Sequence, residues 1–438
     1  MRKQFFLFFT VCCFVIIAQA KNNQNIKKFY FGNGEASKGT IQITDTTIFS
    51  EERGYGLRPS GKITANIRSS KTNFIGSKKP FYFSVNLPEG HYRILLTLGG
   101  NSEGSLTCVK AESRRLMLEN IKTGKDKTIQ KTIIVDVRSP KINADEMIKL
   151  KENEKKFLNW DNKLTLEFVG ENPCVSAIEI QHANELPTIF LAGNSTLTDW
   201  ENDPYTSWGQ IIPRFLKPNV VVANYAEAGE TLLGFKREKR LQKLLSQMKK
   251  GDYMLVDFVH NDQKPGVDHL EAFTTYKAEL KYYIRESRKK GGIVILVTPI
   301  NRRRFDENGK IINSFEDYPK AMRETAEEEK VVLIDMCAIS KTLFEALGTE
   351  NSKKAFLHYP ANSFPGQDKP KADDTHFSSY GSYELARCMI ACIIQQKLDL
   401  KKFLIDPVIV FDPNRPDAYA TYNWSVKPMV NALKPEGN

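Results

Sequence analysis

Two rhythms of apolar and polar positions divide the chain. From about Lys27 to Gln181 the apolar residues recur at short range, in Phe29-Tyr30-Phe31, Ile41-Gln42-Ile43, Phe81 to Val85, Tyr92 to Leu96, Ile133 to Val137 and Leu164 to Phe168, with Gly, Pro and Asn between the runs. Short β-branched and aromatic runs bounded by turn residues are strands, and a series of them without helices predicts an all-β sandwich. The charged stretch Lys141 to Lys156 interrupts it and reads as a solvated loop or a short helix. From Pro187 apolar runs alternate with amphipathic stretches. Strands are predicted at Ile189–Ala192, Val220–Asn224, Tyr253–Phe258, Ile293–Thr298 and Val331–Asp335. Helices are predicted at Ser207–Phe215, Arg237–Lys249, Phe273–Lys289, Tyr318–Glu329 and about Ser379–Gln396. Near-continuous apolar strands alternating with helices indicate a parallel sheet covered on both faces. The expected organisation is a β-sandwich over residues 21–186, a three-layer α/β domain over 187–405 and an extended tail over 406–438.

The first twenty residues stand apart from both rhythms. Arg2 and Lys3 precede the apolar run Phe5 to Ile17, and Ala18-Gln19-Ala20 is a small-x-small site. That is the pattern of a signal peptide over 1–20, so the mature protein is expected to be exported, periplasmic or secreted. No later stretch has the length and apolarity of a membrane span, and no stable membrane insertion is expected. Five cysteines follow the leader, Cys108, Cys174, Cys337, Cys388 and Cys392; the odd, scattered set argues against a disulfide framework and a metal cluster. Cys388 and Cys392, one helical turn apart, read as core thiols. The formal charge is +11, about +9 once Arg2 and Lys3 are removed. A basic exported protein attracts polyanions, while basic residues spread along helices and loops also make an ordinary solvated surface. Both readings stand at this point, and the chain does not disclose an oligomeric state.

In open α/β sheets the crevice lies beyond the carboxyl ends of the strands, and polar segments fall there in order. Ser195 follows the first predicted strand in Ala192-Gly193-Asn194-Ser195. Asn224-Tyr225-Ala226-Glu227-Ala228-Gly229 follows the second, His260-Asn261-Asp262 the third and Arg302-Arg303-Arg304 the fourth. Asp373-Asp374-Thr375-His376 is expected to open the last helix. A serine hydroxyl becomes a nucleophile when a base takes its proton and a carboxylate orients that base, and Asp373 with His376 supplies both from one short segment. Singly, each residue has a plainer reading: Ser195 as a helix cap, His376 as a surface histidine capped by Asp373, Asn261 and Gly229 as turn residues. His91, His182, His269 and His358 lack metal-ligand spacing and read as structural or exposed, with His260 as a supporting residue.

The ordered series resembles the SGNH, or GDSL-type, hydrolase superfamily, whose blocks contribute Ser, Gly, Asn and His. It is most similar to the rhamnogalacturonan acetylesterase group in Asp203-Pro204-Tyr205-Thr206-Ser207-Trp208-Gly209-Gln210, Thr298-Pro299-Ile300-Asn301-Arg302-Arg303-Arg304-Phe305 and Asp374-Thr375-His376-Phe377-Ser378. Lys28 to Gly34 and Gly54-Tyr55-Gly56-Leu57 resemble the galactose-binding-like sandwich that often precedes such esterases. The resemblance implies a flavodoxin-like α/β domain, with Ser195 as nucleophile, His376 as base and Asp373 as its orienting acid. It also implies an oxyanion hole from the N–H groups of Ser195 and Gly229 and the amide of Asn261, each donor contributing about 3 kcal/mol. Gly229 suits that role because a side chain could block close approach. One residue departs from the pattern: Asn194 stands where the usual Asp precedes the serine. The expected activity is a serine carbohydrate esterase without cofactor or metal, acting on acetylated polysaccharide or oligosaccharide of acidic type rather than on nucleic acid. Pectic rhamnogalacturonan is the favoured substrate. Arg302 and Arg303 either hold uronate carboxylates or form a solvated loop with Asp306 and Glu307. Acetylxylan or another sugar ester, and a catalytically idle carbohydrate-binding protein, are the alternatives.

Overall fold

Alternating inward and outward side chains fold the first half into two packed sheets. One has the strand order Thr128–Val137, Gly90–Gly99, Cys174–His182, Lys27–Phe31, Ile41–Ile43, with the short strands Arg68–Ser69 and Ile75–Gly76 at its side. The other runs Tyr55–Arg58, Phe81–Asn86, Lys163–Glu171, Ser105–Ala111, Arg115–Thr123. Phe29, Phe31, Phe83, Ile94, Leu166 and Ile178 interdigitate between them. The coordinates are a computed structural model that describes residues 26–58, 68–69, 73–364, 366–407 and 410–422. The expected signal peptide, and the tail beyond Tyr422, lie outside the described residues.

The second half is the expected α/β layer structure. Five parallel strands lie in the order Val221–Asn224, Thr188–Gly193, Tyr253–Asp257, Ile293–Val297, Val332–Ile334. Side chains of one strand alternate between two cores. Ile189 and Leu191 point to a core shared with Trp208 and the helix Ser379–Gln395, while Phe190 and Ala192 point to a core shared with the helices Arg240–Gln247 and Lys277–Lys289. This double burial explains why the strands are apolar throughout.

Several local expectations are corrected. The stretch Lys141 to Lys156 does end in a short helical turn, Glu154–Lys156, but it is not simply solvated. Its Ile148 and Glu154 are each 2% exposed, with Ile148 in the second α/β core and Glu154 ion-paired to buried Arg240. The predicted helix Arg237–Lys249 is the shorter Arg240–Gln247, and a separate helix that was not expected, Leu232–Arg237, precedes it across the left-handed Lys239. A helix at Met336–Asn351 was not anticipated. Asp373 to His376 do not open a helix; they lie on Lys371–Phe377, antiparallel to Phe356–Tyr359, and the helix begins at Ser379 with Ser378 as its cap.

Candidate active site

The strand Thr188–Gly193 is buried along its whole length and ends in a turn that needs a glycine. A Cβ on Gly193 would sit 2.7 Å from the Asp257 carbonyl oxygen and 2.8 Å from Leu197. Beyond it the Asn194 carbonyl accepts the N–H groups of Leu197 (3.0 Å) and Thr198 (3.1 Å), so the chain reverses. The Asn194 side chain is fully buried. Its Oδ1 accepts the Thr196 N–H (3.1 Å) and hydroxyl (3.0 Å), and its Nδ2 donates to the Asp257 carbonyl (3.4 Å). That turn leaves Ser195 8% exposed.

The strand Lys371–Phe377 carries the partners. His376 Nε2 lies 2.9 Å from Ser195 Oγ, and His376 Nδ1 lies 2.8 Å from Asp373 Oδ2. The other Asp373 oxygen accepts the backbone N–H groups of Thr375 (2.9 Å) and His376 (3.0 Å). Burial pulls the Asp373 pKa up, but the hydrogen bond and charge of His376 and those two N–H groups outweigh it and bring the value down to about 2. The carboxylate is therefore ionised and fixed. With Nδ1–H given to Asp373, Nε2 is the nitrogen that can accept the serine proton. Two rings wall the imidazole: Trp200 and Tyr205 stack on each other at 4.5 Å and stand edge-on to His376 at 5.8 and 5.5 Å. Trp200 Nε1 also donates to the Ser195 carbonyl (2.9 Å).

Among the described residues, the N–H groups of Ser195 and Gly229 have no acceptor. Gly229 has φ +81°, and a Cβ there would meet nothing nearer than Lys151 Nζ at 3.8 Å. Backbone conformation, not crowding within the chain, is thus what favours glycine at this position. Asn261 donates one amide hydrogen to the Glu230 carbonyl (3.0 Å) and accepts from Lys264 Nζ (2.7 Å), which leaves its second amide hydrogen for another acceptor. His260 is buried, and burial with the nearby Arg302 charge pushes its pKa well below the usual value, so it is neutral. Arg302 lies over Phe315 and donates to the His260 carbonyl (3.4 Å). Arg303 is tied to Asp374 (3.1 Å) and to the Thr349 carbonyl (2.6 Å), and Asp374 also meets His358 (2.7 Å).

A buried pair that sequence reasoning did not single out connects the first two blocks. Asn224 Nδ2 donates to the Leu197 carbonyl (2.7 Å) and to Asp199 Oδ1 (2.8 Å), while its Oδ1 accepts the Ala226 N–H (3.2 Å). The serine turn and the segment leading to Gly229 are thereby one hydrogen-bonded unit. Nothing in the spacing of Asp199 and Asn224 announces the contact, because it forms only when adjacent parallel strands bring their exits together.

Comparison with known proteins agrees with this architecture. Residues 189–389 match the family described as GDSL-like Lipase/Acylhydrolase, and residues 27–135 match the one described as Beta-agarase/YXIM esterase-like, galactose-binding domain-like. The chain is 37% identical over 219 residues to rhamnogalacturonan acetylesterase RhgT of Bacillus subtilis (strain 168), covering 50% of this chain and 94% of the relative. It is 34% identical over 220 residues to the probable rhamnogalacturonan acetylesterase YesY of the same strain, covering 50% and 97%. To the uncharacterized esterase YxiM of that strain it is 27% identical over 370 residues, covering 80% and 90%.

Proposed function

The chain belongs to the GDSL-like lipase/acylhydrolase family, with a galactose-binding-like domain before the catalytic one, and is therefore a carboxylic ester hydrolase; from that premise we propose that it removes O-acetyl groups from carbohydrate through Ser195, His376 and Asp373. The observation that carries the proposal is the unbroken relay from Ser195 Oγ to His376 Nε2 (2.9 Å) and from His376 Nδ1 to Asp373 (2.8 Å). His376 takes the serine proton as Oγ attacks the acetyl carbonyl, and Asp373 stabilises the imidazolium. The oxyanion is held by the N–H groups of Ser195 and Gly229 and the second amide hydrogen of Asn261. Collapse breaks the bond to the sugar oxygen, which takes the proton from Nε2. Water then repeats the sequence on the acyl-enzyme and releases acetate.

Pectic rhamnogalacturonan is the substrate class we favour, and export through a leader at 1–20 would bring the enzyme to it. Two relatives carry rhamnogalacturonan acetylesterase names. Lys264 and Lys371 contact Asn261 and the Tyr205 hydroxyl, and among the described residues neither has a carboxylate partner, which suits an acidic polymer. Ser195→Ala is expected to abolish aryl-acetate hydrolysis by the pure protein, and retained hydrolysis would exclude the triad. Acetate release from acetylated rhamnogalacturonan, homogalacturonan and xylan, measured side by side, tests the substrate. Faster release from neutral xylan would overturn the pectic reading.

A further inference from the structure

The loop that walls His376 is anchored from outside the α/β domain. Between the strands Ser105–Ala111 and Arg115–Thr123 the sandwich makes a turn in which Glu112 (φ +55°) and Arg114 (φ +61°) are both left-handed. Residues with a Cβ seldom adopt that conformation, and when two do so in one turn the surrounding structure must hold them there. The turn directs Arg114, 6% exposed, into the neighbouring domain. Its guanidinium donates to the Tyr205 carbonyl (2.9 Å) and forms an ion pair with Asp203. The Ser113 carbonyl accepts from Gln210 Nε2 (2.8 Å), and the same amide nitrogen donates to the Trp200 carbonyl (2.7 Å). Deeper in the interface Arg115 and Arg138 both meet Asp199, at 3.5 and 3.1 Å, and Asp199 holds Asn224. Segment 199–210 is thus gripped from the sandwich at three points, and it is the segment whose Trp200 and Tyr205 rings stand against the imidazole.

We propose that the β-sandwich is a working part of the active site, and that Arg114 is a positioning residue that sets the orientation of His376 through Asp203 and Tyr205. The proposal rests on the triad reading above. Asp373 fixes one edge of the imidazole, and the Trp200–Tyr205 pair limits its swing on the other side. Release of the Asp203–Tyr205 segment would let the ring leave the line between Asp373 and Ser195. Misplacement of a reacting group by about 1 Å lowers turnover by up to ~100-fold. A lysine at 114 keeps the charge but lacks the planar fork needed to meet a carbonyl and a carboxylate together.

The test uses the full-length protein and an aryl acetate, with active sites counted by stoichiometric reaction with a serine-directed phosphonate. Arg114→Met is expected to lower kcat per titrated site about tenfold or more, with KM changed less than about threefold. Arg114→Lys is expected to recover part of that loss, and Asp203→Asn to lose less than Arg114→Met. A structural tie alone would lower the titrated fraction or the Tm without changing kcat per site. The proposal is overturned if kcat per titrated site in Arg114→Met stays within about twofold of wild type. Should Arg114→Met fail to fold, Arg114→Lys and Asp203→Asn decide the matter by the same ratio. An active Ser195→Ala would instead remove the triad reading beneath it, so the two failures are distinguishable.

Discussion

Asn194 is the residue at which sequence and family pattern disagree, and its surroundings supply a reason. The Thr196 N–H and hydroxyl both point at Oδ1, which fixes the amide orientation. Nδ2 then faces the Asp257 carbonyl at 3.4 Å, in a site with no solvent exposure. An ionised aspartate would keep the two Thr196 donors on one oxygen but turn its other oxygen, an acceptor without a donor, toward that carbonyl in a fully buried site. Asn194→Asp is therefore expected to lower stability by about 1–3 kcal/mol at pH 8. The deficit should shrink toward pH 5, where a protonated carboxyl can donate to the Asp257 oxygen in place of the amide. The folded-state pKa of the new carboxyl would be raised, so stability is lost as pH rises through it. Urea unfolding at the two pH values measures both effects. Equal stability of variant and wild type at pH 8 would refute the account. The sequence marks Asn194 as unusual, but its partner is a backbone carbonyl 63 residues away, and no side-chain pattern reports that.

At the scale of elements, legibility followed burial. The five parallel strands were readable because both faces are packed and apolar residues run without interruption. The strand Lys371–Phe377 was not, because Lys-Ala-Asp-Asp-Thr-His-Phe has no apolar alternation and is half-exposed along most of its length. The helix Met336–Asn351 was hidden by its own cap: Asp335, which accepts the Ala338 N–H, was absorbed into the strand before it. The hairpin that carries Asp373 and His376 is locked to the last helix at Gly381. A Cβ there would lie 2.0 Å from the Ala355 carbonyl oxygen, which also accepts the Ser378 N–H at 3.1 Å. Alanine normally stabilises a helix by roughly 1 kcal/mol over glycine. Here the clash is with backbone, and overpacking of this kind costs about 1–3 kcal/mol or more. Gly381→Ala should therefore lower the Tm, and kcat should fall with it because the helix start and His376 share the junction. A raised Tm would mean that the contact is slack.

Across the whole molecule, buried carboxyls make stability depend on pH in an unusual direction. Burial pushes Asp257 and Asp262 each up to about 7, against one offsetting bond from Trp208 Nε1 (3.3 Å) at Asp257 and backbone N–H bonds at Asp262, that of Leu232 (2.7 Å) the larger. Burial likewise pushes Glu201 to about 8. Unfolded, such groups titrate near 4. Between about pH 4 and 7 the folded chain keeps protons on Asp257 and Asp262 that the unfolded chain has lost, so stability falls as pH rises through that window and levels off above it. Glu201 extends the fall toward pH 8. Asp373 works the other way, since its pKa near 2 gives stability that is present above about pH 4 and lost only as pH drops toward 2. Buried His260 also opposes the two aspartates, because its lowered pKa means that stability is lost as pH falls below about 6.5, but two aspartates against one histidine leave stability higher at pH 5 than at pH 8. Self-repulsion of the basic surface opposes this at low pH, but at 0.15 M salt it is screened beyond ~8 Å, whereas the buried groups are screened much less. Calorimetry in 0.15 M salt should give a higher Tm at pH 5 than at pH 8. Asp257→Asn combined with Asp262→Asn should narrow that difference, since amides keep the acceptor oxygens and remove the titration. A wild-type Tm that is level or higher at pH 8 would mean that these carboxyls are ionised in the folded state. Both aspartates lie at or just beyond the end of the strand Tyr253–Asp257, on either side of His260 and Asn261.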